Sequence, residues 1–227
     1  MSKKILVIAT SADKLSDGKE TGCWMEEVAA PFFVFKENGY EVTIASIKGG
    51  EIPFDEASLN PPFLTKEAEK FVLDDNCMKL VTESKALADV NVLDYDAVFL
   101  PGGHGTVVDF PGSEALAQAL ASMWEAGKVV SAVCHGPVGL VGVKTASGEA
   151  LVKGRKVTGF SNSEERAVAK EDVVPFLLED KLKELGGSYE SGADWAPCAV
   201  RDGRLVTGQN PGSSAACAKL VVQVLSE

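Results

Sequence analysis

The sequence predicts an α/β fold in which a mostly parallel sheet carries helices on both faces. Short β-branched apolar runs alternate with stretches of amphipathic helix length, which is typical of βαβ units. The chain has 227 residues, of which 45% are hydrophobic, and this is enough for one sizeable core but short for two full domains. We therefore expect a single domain, residues 1–227, built as a three-layer sandwich.

The first half of the chain supplies two strands, a helix and an insertion. Residues 4–9 form an apolar run, and the helix predicted at 23–38 stops at Gly39, whose missing Cβ suits a helix C-cap. A strand follows at 40–46, and the glycines at 49 and 50 predict a small hairpin that continues into 52–54. Residues 55–94 are polar and helical and exceed a minimal crossover, so we expect a helical insertion there.

The second half repeats the alternation and ends in a hairpin and a helix. An apolar run at 96–100, bounded by turn residues, is typical of a buried parallel strand. The glycine pair 186–187 stops a predicted helix, and Asp202-Gly203 predicts a hairpin turn. The remaining predicted elements are strands at 128–133 and 156–159, helices at 113–126, 136–143, 171–185 and 212–225, and the hairpin at 199–207.

Composition and charge argue against several classes of partner. The net charge is −11 and the acidic residues are scattered, which disfavours nucleic acid. No apolar run could span a bilayer, and the N-terminal apolar stretch is too short for a signal peptide. The five cysteines are odd in number and far apart, without a Cys-x-x-Cys pair. We therefore expect reduced thiols in a cytoplasmic protein with no nucleic-acid or membrane partner.

Cys134 is the first candidate for chemistry because it directly follows the strand predicted at 128–133. Ala132 precedes it by two positions and Gly136 follows it by two, and small flanking residues fit a strained strand-to-helix turn, the nucleophile elbow. Amides of the following helix would favour the thiolate, so we expect an exposed thiol of low pKa. The alternative, a small buried apolar residue, is retained for the other four cysteines.

Only two histidines are available to partner the thiol. His104 and His135 each lie just after a predicted strand, so a cysteine–histidine dyad must use one of them. The backbone amides of Gly103 and His135 are candidates for stabilising an oxyanion. The glycine-rich segment 102–105 does not fit a phosphate loop, because no Lys-Ser/Thr pair follows it.

An acidic pair early in the first helix is the third candidate. Glu26 and Glu27 are adjacent, and helical geometry cannot place both on one face, so one can point inward beside Trp24 and Pro31. A carboxyl buried among apolar groups has a raised pKa and can shuttle protons. The alternative is two solvated helix glutamates.

Together these segments resemble the ThiJ/PfpI superfamily, in particular its heat-shock-protein-31-like glyoxalase III branch, over nearly the whole chain. The resemblance implies a flavodoxin-like fold similar to that of class I glutamine amidotransferases. Those enzymes take their histidine from a downstream segment, whereas this chain has none after His135. The matching motifs are Ala132-Val-Cys-His-Gly-Pro137, Gly103-His-Gly-Thr106 with Asp109-Phe-Pro111, Gly154 and Lys156 before Thr158-Gly-Phe160, and Asp202-Gly-Arg-Leu-Val-Thr-Gly208 before Asn210-Pro211.

The resemblance also implies site residues. The nucleophile matches Cys134 and the adjacent histidine matches His135. The acid that orients this histidine matches Glu165 rather than Glu164, and together they form a triad in which the nucleophile, the base and the orienting group have separate roles. A further glutamate of the family falls on Glu27, by its Glu-x-x-x-Pro spacing to Pro31, and leaves Glu26 out of phase.

The activity that the resemblance implies is a glutathione-independent glyoxalase that converts methylglyoxal to lactate through a cysteine hemithioacetal. It implies no cofactor, no metal, a small 2-oxoaldehyde substrate and a homodimer. Pocket candidates are Trp24, His104 and Gly105, with further walls from Trp195 or the insertion. The alternatives are an amidase, a peptidase or a protein deglycase that uses the same thiol, and a stress-response holdase chaperone or redox sensor.

Overall fold

A seven-stranded sheet forms the centre of the computed structural model, which describes residues 2–227. The strands of the chain are β1 (Lys4–Ala9), β2 (Glu41–Ser46), β3 (Lys85–Ala86), β4 (Ala97–Leu100), β5 (Val129–Val133), β6 (Lys156–Val157), β7 (Ser188–Tyr189), β8 (Ala199–Asp202) and β9 (Leu205–Gly208). The central sheet has the order β3-β2-β1-β4-β5-β9-β8, and all of its pairs are parallel except the β8–β9 hairpin.

Helices cover both faces of this sheet, as the sequence predicts. The helices are α1 (Met25–Glu37), α2 (Lys66–Val72), α3 (Asp75–Thr82), α4 (Thr106–Asp109), α5 (Glu114–Glu125), α6 (Asn162–Ala167), α7 (Leu178–Glu184) and α8 (Ser214–Ser226). From β1 the chain crosses to β2 in one direction, and from β4 it crosses to β5 in the other. Right-handed crossovers therefore place α1 and α5 on opposite faces, and α8 packs beside α1. The α/β class and flavodoxin-like layering are confirmed.

The strand order determines where a ligand can bind. It reverses beside β1, and in open α/β sheets ligands bind at such a switch point, at the carboxyl ends of the strands. All residues of β4 and β5 are buried, so the turns that follow these strands are anchored in the core. The predicted site residues at 102–105 and at 134–135 lie in these two turns.

The insertion is helical as predicted, but its neighbourhood differs from the prediction in two ways. It contains α2 and α3 and also contributes the edge strand β3, which pairs with β2. The hairpin predicted from 48 to 54 is wrong. Gly50 instead pairs with Ser84, and Phe54 pairs with Cys23, because the segment after the turn bonds to the chain that leads into α1.

Three predicted elements of the second half are shorter than expected. The strand at 156–159 is only β6, which pairs with β7 in a separate two-stranded sheet. The helix at 171–185 is only α7, because Pro175 has no amide hydrogen for a helical bond, and α6 before it was not predicted. The helix expected at 136–143 is a five-residue 3-10 segment, Gly136–Leu140.

Membrane insertion has no support in the helices. None of those formed by residues 2–227 is both long enough and apolar enough to cross a bilayer.

Candidate active site

Cys134 directly follows β5 and has a φ of 60°, in the left-handed backbone region that residues other than glycine rarely adopt. Its N–H donates to Gly208 O at 2.9 Å and its carbonyl accepts from Phe160 N–H at 2.8 Å, so neighbouring strands and loops hold the strained turn. A Cβ added at Gly136 would lie 2.2 Å from the carbonyl oxygen of Leu100. The close backbone approach that the sequence predicts is therefore present.

The thiol of Cys134 is buried, and this corrects the expectation of an exposed thiol of low pKa. Its residue is only 3% exposed. Burial, and next the carboxyl of Glu27, raise the pKa of Cys134 well above its usual value, while backbone N–H groups of Gly103 and His135 act to lower the pKa. The expectation fails because the segment after Cys134 is a single 3-10 turn rather than a full helix, and because an acid lies against the sulfur.

Glu27 is the member of the acidic pair that points inward. It is fully buried, its Oε2 accepts the Gly102 N–H at 2.6 Å, and its Oε1 has no hydrogen-bond partner. Burial raises the pKa of Glu27 to about 8, although the nearby Cys134 thiol and the Gly102 N–H act to lower the pKa. At neutral pH the carboxyl and the thiol therefore hold at least one exchangeable proton between them.

His135 and Glu165 complete a chain of contacts from the thiol. The Sγ of Cys134 lies 3.5 Å from Nδ1 of His135, and Nε2 of His135 lies 2.7 Å from Oε2 of Glu165. Burial opposes ionisation of Glu165, but the two histidines beside it outweigh burial and hold its pKa below its usual range. The carboxylate thus holds the Nε2–H tautomer of His135 and leaves Nδ1 able to accept the thiol proton.

His104 shares the same carboxylate. Its Nε2 lies 2.7 Å from Oε1 of Glu165, and its ring centroid is 4.1 Å from that of His135. Burial, and next the proximity of His135, lower the pKa of His104 to about 4, so this imidazole is neutral at neutral pH. The sequence left either histidine as the partner of the thiol, and the structure places His135 against it. No sequence signal indicated that both histidines would contact one acid.

These three residues also form a possible metal-ligand set. The ligand atoms of His104, His135 and Glu165 lie within 4.8 Å of one another. Each carboxylate oxygen already contacts one imidazole nitrogen at 2.7 Å, so hydrogen bonds satisfy the cluster without an ion.

Glu164, the alternative acid, has a different role. Its Oε1 accepts hydrogen bonds from the backbone N–H of Trp195 and from the side-chain amide of Asn210, each at 2.8 Å. Its Oε2 accepts from the backbone N–H of Ser161 at the start of α6. Trp195 has a φ of 63° and is half exposed. Glu164 therefore anchors the segment around Trp195, whereas Glu165 contacts the histidines.

A cavity of about 630 Å³ opens above Cys134. Its lining consists of Trp24, Glu26, Pro62, Phe63, Thr65, Gly103, His104, Cys134, His135, Phe160, Ala167, Val168, Trp195, Asn210, Pro211 and Gly212. Of the pocket candidates, Trp24, His104 and Trp195 line this cavity, as does part of the insertion. Gly105 does not line it: its N–H donates to Gly22 O and its added Cβ would meet Ala12 O at 2.8 Å, so it packs against the chain after β1.

Sequence reasoning set Glu26 aside as out of phase, yet its side chain lines the cavity. It is half-buried, and the Thr65 hydroxyl of the insertion donates to its Oε2. Burial raises the pKa of Glu26 to about 7. The available signal was the helical spacing itself, because adjacent positions on α1 point in different directions, so that Glu27 can be buried while Glu26 faces the cavity.

Known proteins resemble this chain over almost its full length. Residues 20–224 match the model of the DJ-1/PfpI family. Glyoxalase 3 of Candida albicans is 35% identical over 96% of this chain and 97% of the relative, and glutathione-independent glyoxalase HSP31 of Saccharomyces cerevisiae is 34% identical over 93% of each. The crystal structure of glyoxalase III from Candida albicans superposes with a TM-score of 0.89, at 33% identity, over 98% of this chain and 97% of that one.

Proposed function

The chain belongs to the DJ-1/PfpI family, and from this premise we propose that it is a glutathione-independent glyoxalase that converts methylglyoxal to lactate. The relatives that match nearly all of the chain are named glyoxalases. The observation that carries the proposal is the convergence of a thiol, an imidazole, a carboxyl of raised pKa and two backbone amides at one end of the cavity.

The first step is attack by sulfur on the aldehyde. The Cys134 thiol gives its proton to Nδ1 of His135, and the carboxylate of Glu165 stabilises the imidazolium that forms. The thiolate bonds to the aldehyde carbon, and the carbonyl electrons move to oxygen. The N–H groups of Gly103 and His135, which face the sulfur, bind that oxygen, and its protonation gives a hemithioacetal.

The second step moves hydrogen between the two carbons. Glu27 in its carboxylate form removes the proton from the carbon that bears sulfur, and the adjacent ketone oxygen is protonated, which gives an enediol. Return of a proton to the second carbon, together with loss of the hydroxyl proton from the carbon that bears sulfur, yields a lactyl thioester, so one carbon is oxidised and its neighbour is reduced without a cofactor. A pKa of about 8 leaves Glu27 able both to accept and to donate a proton near neutral pH. Water then cleaves the thioester and releases lactate.

Lactate formation from methylglyoxal tests this proposal. We expect Cys134→Ala to reduce kcat/KM by about 10³-fold or more, since loss of a nucleophile removes the covalent route. Cys198→Ala is the matched control, because this half-buried cysteine lies outside the cavity lining, and its rate should remain at the wild-type level. Equal rates for wild type and Cys134→Ala would contradict the proposal.

One alternative retains a supporting observation. A protein deglycase, amidase or peptidase would use the same thiol, and the 630 Å³ cavity leaves room for such larger adducts. Release of free amine from a glycated amino acid, after free methylglyoxal has been trapped, distinguishes this chemistry. The burial of Cys134 disfavours a freely exposed redox-sensing thiol. A holdase chaperone stays a prediction. A homodimer and a cytoplasmic location stay predictions.

A further inference from the structure

The cavity is much larger than methylglyoxal needs. Cavities of about 300–1,000 Å³ typically enclose ligands of drug size, and this one measures about 630 Å³. The reacting groups Cys134, His135 and Gly103 form only part of its lining. A three-carbon substrate held there would leave most of the cavity unfilled.

The remaining walls suit an apolar and preferably planar group. Trp24 and Phe63 meet edge to face with ring centroids 5.6 Å apart, and Phe160 and Trp195 meet similarly at 5.8 Å. Val168, from the end of α6, adds an aliphatic surface. Aromatic rings pack favourably against such edge-to-face pairs.

One acid lines this apolar region without taking part in the mechanism above. Glu26 and Glu27 are neighbours on α1, so they diverge by about 100° around the helix axis. Glu27 reaches the Gly102 amide at the floor of the site, whereas Glu26 reaches Thr65 of the insertion. The single hydroxyl hydrogen of Thr65 is directed at Oε2 of Glu26, and the Thr65 oxygen also accepts the Ala68 N–H at 3.1 Å. Oε1 of Glu26 therefore remains free to accept a further hydrogen bond.

No cation neutralises this carboxyl. Within residues 2–227, no lysine or arginine forms a salt bridge with Glu26. Asn210, another polar side chain of the cavity lining, is already engaged, because its amide donates to Glu164 and to Ala196 O, and its oxygen accepts from Ser213. Glu26 is thus an acceptor available to a ligand, and its carboxylate form, which predominates above about pH 7, disfavours anions.

We propose that Glu26 determines specificity by accepting a hydrogen bond from an O–H or N–H group at the far end of an aromatic 2-oxoaldehyde, and by rejecting 2-oxoaldehydes that carry a carboxylate there. This inference rests on the proposed glyoxalase function and names a larger class of substrate for the same site. The aldehyde end reacts with Cys134, and the ring lies between the aromatic pairs.

Three probes test the proposal: phenylglyoxal, 4-hydroxyphenylglyoxal and 4-carboxyphenylglyoxal, whose products are the corresponding mandelates. For the wild type at about pH 8.5, where the Glu26 carboxyl is ionised, we expect kcat/KM for the hydroxyl probe to exceed that for the carboxyl probe by about tenfold or more, since hydrogen bonds to charged groups are the stronger class. Glu26→Gln keeps the side-chain size and removes the charge, so it should reduce this ratio by about tenfold, mainly through faster turnover of the carboxyl probe.

Glu37→Gln is the matched control, because Glu37 is exposed at the other end of α1 and should leave the ratio at its wild-type value. An equal ratio in wild type and Glu26→Gln would overturn the proposal. If Glu26→Gln does not fold, the test rests on the wild-type ratio of kcat/KM for the hydroxyl probe to that for the carboxyl probe. A ratio at or below one would overturn the proposal.

Failure of the proposed function would look different. Loss of Cys134 dependence, or no turnover of either methylglyoxal or phenylglyoxal, contradicts the glyoxalase itself. Turnover of methylglyoxal together with no turnover of any arylglyoxal contradicts only the inference about the far end of the cavity.

Discussion

Nδ1 of His135 lies 3.5 Å from Sγ of Cys134, its own neighbour in the chain. Consecutive side chains usually diverge, both in a strand and in a helix. The left-handed φ of 60° at Cys134 turns the backbone between them and brings the two side chains to one end of the cavity. The geometry of the dyad therefore depends on backbone strain at a single residue.

The pH dependence of Cys134 alkylation tests the contact between this thiol and Glu27. The carboxylate of Glu27 raises the pKa of Cys134, so Glu27→Gln should lower the midpoint of the reactivity curve by about one pH unit or more. Iodoacetamide labelling followed by mass spectrometry of the Cys134 peptide separates this thiol from the other four. An unshifted curve would remove Glu27 from the site.

Stability against pH provides a second test of Glu27. Its folded-state pKa of about 8 lies above the usual value of 4.5, so between about pH 5 and 8 the unfolded chain loses this proton first. The stabilisation is fully present below the lower value and is lost as pH rises through the upper one. We expect the free energy of unfolding of wild type, relative to Glu27→Gln, to fall by up to about 1.4 kcal/mol per pH unit in this window.

Urea unfolding at half-unit pH intervals measures this difference. Glu37→Gln, at an exposed position of the same helix, should run parallel to the wild type. Parallel curves for wild type and Glu27→Gln would mean that Glu27 is ionised in both the folded and the unfolded state.

The elements that the sequence predicted well are those with strong local signals. Mostly apolar runs marked β1, β4 and β5, and the small residues around Cys134 marked the turn after β5. Other elements were less predictable, because β6 and β7 are two residues each and pair across 32 positions of sequence. Such short strands depend on tertiary contacts rather than on periodicity.

The site residues divide along the same line. Local spacing indicated Cys134 and predicted that one member of the acidic pair points inward, and the family resemblance identified that member as Glu27. The burial of the thiol and the sharing of Glu165 by two histidines could not be predicted in this way, because they depend on how the turns after β4 and β5 meet α6. The direction of the Cys134 pKa shift was therefore predicted wrongly. The local sequence indicates the nearby backbone amides, which lower the pKa, but it does not indicate the burial of the thiol or the proximity of Glu27, which raise the pKa.

Separate substitution of the two adjacent acids on α6 distinguishes their roles. Glu165→Gln removes the charge that holds the His135 tautomer and stabilises its imidazolium, so kcat for methylglyoxal should fall by about 10²-fold or more. Glu164→Gln alters the anchor of Trp195 and Asn210, and we expect a loss of stability of about 1–3 kcal/mol with a smaller loss of kcat. Steady-state kinetics and thermal melting of both variants check this, and a larger loss of kcat in Glu164→Gln would reverse the assignment.

Gly136 tests whether the turn after β5 requires its close backbone contact. A Cβ at this position would lie 2.2 Å from the Leu100 carbonyl oxygen, and backbone atoms cannot move aside as a flexible side chain can. Gly136→Ala should therefore reduce the free energy of unfolding by about 1–3 kcal/mol and displace Cys134 from His135, with a loss of activity beyond that of stability. Gly142→Ala is the matched control, because its added Cβ meets nothing closer than Ala117 Cβ at 3.9 Å. Denaturant unfolding and lactate formation measure both effects, and wild-type behaviour of Gly136→Ala would show that the turn tolerates a wider backbone separation.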